Sequence, residues 1–204
     1  MQSLLGGFRY VRGEPVIFTF LVVSAIFNIF GRSYVTLLPV FAKEALHVGA
    51  SGFGFLAAGP GLGTIFGSLT LASLGRVEAK PWLMVSMLLA FAVVLFGFAV
   101  GRNFSIAVAL LVAIGALSTV FETLLSTSIQ LRVEEAFRGR VSGFYGLTGG
   151  GLREFGGTQA GFVAEWTSAP AAIAGGALVL AIVGYIFSGR GSSAWALSKI
   201  PLSR

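Results

Sequence analysis

Apolar residues run through this chain in long unbroken stretches, not at the spacing of an amphipathic helix or a half-buried strand. A hydrocarbon layer about 30 Å thick is crossed by roughly 20 apolar residues of helix. Six stretches reach that length, at about 16–40, 51–74, 81–101, 104–130, 141–165 and 169–188. The polar breaks between them are short. The pattern predicts an all-α polytopic membrane protein with six transmembrane helices over 15–190, followed by a short tail at 191–204. Pro15 and Pro81 stand in the first turn of their predicted helices, where a missing N–H costs nothing. The first stretch follows Arg9 and Arg12, as in a signal peptide, but it is too long for one and has no clear small-residue cleavage site. It is read as a helix.

Composition agrees. Charged residues make up 11% of the chain and hydrophobic residues 55%, against about 25% charged in a soluble domain. So few polar groups could not clothe a soluble fold. Cysteine is absent, which excludes disulfides and thiolate metal sites. All eight acids are Glu, and His47 is the one histidine. No Ser-His-Asp triad and no histidine-rich metal cluster can be assembled from such a chain, so neither an enzyme, a metal site nor a cofactor is expected. The net charge of +6 comes from 14 basic residues spread along the sequence. They form no single basic face for nucleic acid.

The basic residues instead orient the spans. Arg9 and Arg12, Arg76 and Lys80, Arg132, Arg138 and Arg140, and Arg190, Lys199 and Arg204 all fall on one side of a six-span topology. The alternate loops hold Lys43 and Arg102 alone. By the positive-inside rule both termini and the central charged loop are cytoplasmic, in a cell membrane. That loop, Gln130 to Val141, carries Arg132, Glu134, Glu135 and the Arg138-Gly139-Arg140 motif between two nearly charge-free stretches. It belongs in water.

Charges left inside the spans mark candidate sites, because each costs about 2.5 to 3.5 kcal/mol at bilayer centre. The fifth stretch places Arg153 and Glu154 near its middle among many glycines. It would not insert stably alone, so its charges face a bundle interior or a watery cavity, either as an internal ion pair or in substrate or proton handling. The first stretch carries Ser24, Asn28 and Arg32 at i, i+4 and i+8, on one helix face. Arg32 either lines an interior or snorkels to the outer interface. The fourth carries Ser118, Glu122, Ser126 and Gln130 at the same step. Glu122 is a candidate proton carrier, or else the partner of Arg32 or Arg153. Gly59, Gly63 and Gly67 in tandem GxxxG spacing read as a tight helix contact, and Gly157 and Gly161 supply the same spacing in the fifth stretch. No lysine follows the former, so a phosphate-cradling loop is not indicated. Trp82, Tyr34, Trp166 and Tyr185 are placed at helix ends as interfacial anchors.

Several stretches together carry a resemblance. Thr36-Leu-Leu-Pro-Val-Phe-Ala-Lys-Glu-Ala-Leu46, Gly49 to Leu56, Gly61 to Ser68, and Gln130 to Val141 resemble the carboxyl-terminal half of major facilitator superfamily transporters, of the enterobactin-exporter and macrolide-efflux type. The resemblance spans roughly residues 4–190. It implies that the six spans are one half of a major facilitator fold and that residues 1–14 end the central cytoplasmic loop. It also implies a proton-coupled antiporter exporting small molecules of drug or siderophore class, through a cavity shared with an amino-terminal six-helix half. That half would come from the same gene, a separate chain or a second copy. The first and fourth spans would then line the cavity, giving Asn28, Arg32, Glu122 and Ser126 a role in substrate or coupling-ion contact. The second and fifth would face the other half, with their glycines buried there. Two departures stand out: Gly75-Arg-Val-Glu-Ala-Lys80 lacks the Asp usual after the second helix of a half, and Leu152-Arg-Glu154 replaces small and apolar residues. A truncated fragment that inserts but transports nothing is the alternative.

Overall fold

The structure is a computed structural model, and it describes residues 10–74 and 81–189. Among these residues the only regular structure is helical. The helices, in order, are α1 (Pro15–Ile26), a π-helical turn (Phe27–Gly31), α2 (Tyr34–Glu44), α3 (Ala50–Leu74), α4 (Pro81–Val100), α5 (Phe104–Arg132), α6 (Glu135–Gly149), α7 (Gly151–Trp166) and α8 (Ala169–Gly189).

Local sequence explains most of the boundaries. Pro15 starts α1 after an extended Glu14. Asn103 caps α5, its Oδ1 accepting from the Ile106 N–H at 3.2 Å. Ser168 does the same for α8, accepting from the Ala171 N–H at 3.3 Å. Beyond α2 the chain turns through His47, which holds a left-handed φ of 53°.

Among the described residues five helices are long and apolar enough to cross a membrane: Pro15–Glu44, Ala50–Ser73, Trp82–Val100, Phe104–Arg132 and Ala169–Ser188. The remaining expected span, the fifth stretch at 141–165, differs. Its helix starts earlier, at Glu135, and is interrupted at Gly150 to give α6 and α7. Six of its residues around the break are glycine or threonine, which weaken helix propensity where the two pieces meet. The charged stretch before it is not an extended loop either. Helix α5 runs to Arg132 and α6 begins at Glu135, leaving only Val133 and Glu134 between them.

The first span is also broken. In the π turn the Arg32 N–H donates to the Phe27 carbonyl at 3.2 Å, one residue further back than an α-helix allows. Tertiary contacts hold this irregular backbone. A Cβ on Gly156 of α7 would collide with the Ile29 backbone, and one on Gly176 of α8 with the Phe30 carbonyl. Two helices thus approach the turn as closely as glycine permits.

Inside, α3 lies along α5, α4 packs between α5 and α8, and α7 covers α2, the π turn and α8. Aromatic rings fill the centre: Phe27 meets Phe91 and Phe121 with centroids 4.8 and 4.7 Å away, and Phe41 meets Phe98 at 4.5 Å. Outward faces stay apolar. Phe55, Phe66, Leu69 and Tyr185 are exposed, as expected of surfaces solvated by lipid tails.

Candidate functional site

The break at Gly31 to Ser33 decides where the charges of the first span go. Arg32 is half-buried at the middle of Pro15–Glu44 and reaches across to α5, where its Nη1 stands 3.2 Å from Oε1 of Glu122. It therefore does not snorkel to the outer interface. Pairing satisfies both charges at a depth where an isolated one is costly.

The polar stripe of the first span divides at the π turn. Ser24 is buried and shares a 2.7 Å hydrogen bond with Thr148 of α6. Asn28 is buried too, and its Nδ2 donates to the Ser24 carbonyl at 2.9 Å. Ser24 thus ties α1 to α6, Asn28 bonds back within its own span, and Arg32 reaches a cavity. In α5, Ser126 accepts from Gln130 Nε2 at 2.9 Å on a more exposed stretch of the same helix. Tyr145 of α6 donates to the Glu122 carbonyl at 3.4 Å.

Beside the ion pair lies a partly open cavity of about 340 Å³. Arg32, Tyr34 and Leu38 line it from the first span, Phe53, Pro60 and Thr64 from α3, Ser118 from α5 and Arg153 from α7. Arg153 also lies within Coulombic range of Glu122. Its neighbour Glu154 is exposed, about 100° further round the helix. The two do not form an internal ion pair, and neither pairs with another described charged group.

Tyr34 corrects its expected role. The span continues through α2 to Glu44, which leaves it away from the end and buried against Phe98 at a centroid distance of 6.4 Å. Trp82, Trp166 and Tyr185 are exposed.

The glycines also sort by contact. Gly63 and Gly67 of α3 meet the backbone of Val112 and Ala116, Gly59 meets Leu111, and Gly115 of α5 meets Pro60. These glycines are taken up between α3 and α5 of this chain, so they are not a free face awaiting another half. Gly157 abuts Thr36, while Gly161 has nothing within 4 Å. Sequence reasoning passed over Gly156, Gly176 and Thr64, whose roles depend on partners far away in the chain.

At the α5–α6 junction, Arg138 lies 4.0 Å from Glu135 on an exposed turn. Arg140 sits over the Phe137 ring at 5.3 Å, and that ring stacks on Tyr10 at 4.3 Å. Gly139 has open space where a Cβ would stand. The Glu134 N–H donates to Tyr10 Oη at 3.4 Å, so Tyr10, shortly before α1, is fastened to this junction. The Gly75 to Lys80 motif lies outside the described residues, as do the tail at 191–204, Arg9 and the other residues before Tyr10.

A long apolar bundle, a helix broken at mid-span and an ion pair beside a cavity are features of a membrane transporter. The family comparison decides the matter, since the model described as transmembrane secretion effector matches residues 1–195. The chain belongs to this family. It is thereby a major facilitator superfamily protein, a membrane transporter suited to efflux. No curated protein and no solved structure matches it. Among the described residues of this secretion effector, no cluster of His, Cys, Asp or Glu has the makings of a metal site.

Proposed function

We propose that this chain is the carboxyl-terminal six-helix half of a proton-coupled exporter of small molecules, of drug or siderophore class. It lies in the cell membrane with both termini cytoplasmic. In this reading α6 and α7 together form the sixth span, completing the five helices long enough to cross. The broken first span and α5 line the substrate path, and an amino-terminal half closes it, from the same polypeptide, a separate chain or a second copy. Residues 1–14 end the central cytoplasmic loop, and the tail from 191 is cytoplasmic. Arg138, Gly139 and Arg140 lie at the cytoplasmic surface.

The observation that supports this most is the Arg32–Glu122 pair at 3.2 Å beside the cavity. It joins two helices of the same half that line the path over which the other half would rock. A proton on Glu122 removes its charge and weakens the hold on Arg32. Substrate entering the cavity competes for the same guanidinium. One pair can thus exchange proton for substrate, the elementary step of an antiporter.

The test is export from cells or proteoliposomes carrying the chain with its amino-terminal half. Arg32→Ala and Glu122→Gln should each abolish proton-driven export while the protein still inserts. Retained export in both variants would remove the pair from the mechanism. Insertion without export by the unaltered protein would favour the inert fragment.

A further inference from the structure

Cavity and charge do not balance on the described residues. Arg32 and Arg153 both line the cavity, and Glu122 is the one carboxylate engaged with them. Two guanidiniums against one carboxylate leave an excess of positive charge at the cavity. Glu154 is exposed on another face of α7, and Tyr34, the other titratable lining group, is ordinarily neutral. A charge at bilayer depth is stabilised by a counter-charge. Arg153 forms no ion pair among the described residues and shares the field of Glu122 with Arg32.

The rest of the lining says what such a counter-charge is attached to. Thr64 and Ser118 donate their hydroxyls to Pro60 and Gly115 of their own helices, at 3.1 and 3.0 Å. Arg153, the part of Arg32 that Glu122 leaves open and the Tyr34 hydroxyl remain as donors. Val35, Leu38, Phe53, Ala57 and Pro60 supply apolar wall around them. A volume of about 340 Å³ stands at the low end of ligand sites, which run from about 300 to 1,000 Å³.

We propose that this cavity binds a small organic anion, a carboxylate-type head on an apolar body. The head docks on Arg153 and on the part of Arg32 that Glu122 leaves open, and the body lies against Leu38, Phe53 and Pro60. A planar carboxylate matches the guanidinium fork with two parallel hydrogen bonds. The proposal rests on the reading of the chain as a transporter and adds a substrate class to it.

The test is equilibrium binding of 2-naphthoate and of its neutral isostere 2-naphthamide to the full chain in lipid nanodiscs. Naphthoate should bind at least about tenfold more tightly than the amide, as expected for a charge-assisted contact away from bulk water. Arg153→Gln should erase that preference, Arg153→Lys should restore part of it, and Glu122→Gln should strengthen naphthoate binding by removing the internal competitor. Equal binding of acid and amide, or none of either, overturns the proposal without need of any variant. So does a preference that survives Arg153→Gln, and equal binding is also the result if an acid from another helix already neutralises Arg153. Binding needs no transport. Export of other compounds without anion preference would sink this proposal alone, and anion preference without any export would sink the exporter reading alone.

Discussion

Arg32 and Glu122, ninety positions apart in sequence, meet with Nη1 and Oε1 3.2 Å apart. Their side chains are a quarter to a third exposed, so water and the cavity already screen part of the interaction. Truncating one partner leaves a charge at bilayer depth without its counterpart. Either Arg32→Ala or Glu122→Ala should therefore destabilise the protein by about 1 to 3 kcal/mol, below the cost at a fully buried pair. The double variant should recover part of the loss. Thermal unfolding of the four proteins in one detergent measures the coupling, and strict additivity would show that the two residues do not support each other.

Glycine contacts make a sharper stability prediction. Gly63 lies against the backbone of Val112, Ala116 and Gly115, with no room for a side chain, whereas Gly54 of the same helix has nothing within 4 Å. Gly63→Leu should force α3 from α5 and cost about 1 to 3 kcal/mol, or prevent accumulation altogether. Gly54→Ala should be neutral or slightly stabilising, since alanine favours helix. Equal effects would mean that the α3–α5 approach is looser than described. Yield and unfolding midpoint of the two variants decide it.

Much of the architecture is legible in the sequence because length and hydropathy act locally. The runs at 51–74, 81–101, 104–130 and 169–188 become α3, α4, α5 and α8 within about two residues at each end. The break in the first span is not legible. Phe27-Asn-Ile-Phe-Gly31 is apolar apart from Asn28, contains no proline and reads as uninterrupted helix. What holds its π turn is the approach of Gly156 and Gly176, more than a hundred residues away. Tyr34 likewise looks like an interfacial aromatic, until the span is seen to run on to Glu44 and Phe98, far away in sequence, to cover it. Arg32, Glu122 and Arg153 can be picked out singly, since a charge in lipid is conspicuous. Which of them meet depends on helix packing, and periodicity carries no information about that.

The α5–α6 junction offers a prediction outside the membrane. Tyr10 and Phe137 stack with centroids 4.3 Å apart and planes inclined by 5°. A double-mutant cycle with Tyr10→Ala and Phe137→Ala should give a coupling of about 0.5 to 1.5 kcal/mol, the usual range for a stacked aromatic pair. Protease should also cut the residues before α1 faster in either single variant. A coupling of zero would mean that the residues around Tyr10 are not fastened to this junction.

The central claim is that α6 and α7 carry the chain across the bilayer despite Arg153, Glu154 and the break at Gly150, and so set Arg153 in a transport cavity. The sequence has no cysteine, so single cysteines can be placed on the native background. The measurement is labelling of Glu134→Cys and Thr167→Cys by a membrane-impermeant maleimide, in intact cells and in inverted vesicles. The account predicts that Thr167→Cys reacts from outside and Glu134→Cys from the cytoplasmic side. Labelling of both from the same side would contradict it, because α6 and α7 would then form a hairpin on one surface and Arg153 would face no transport path.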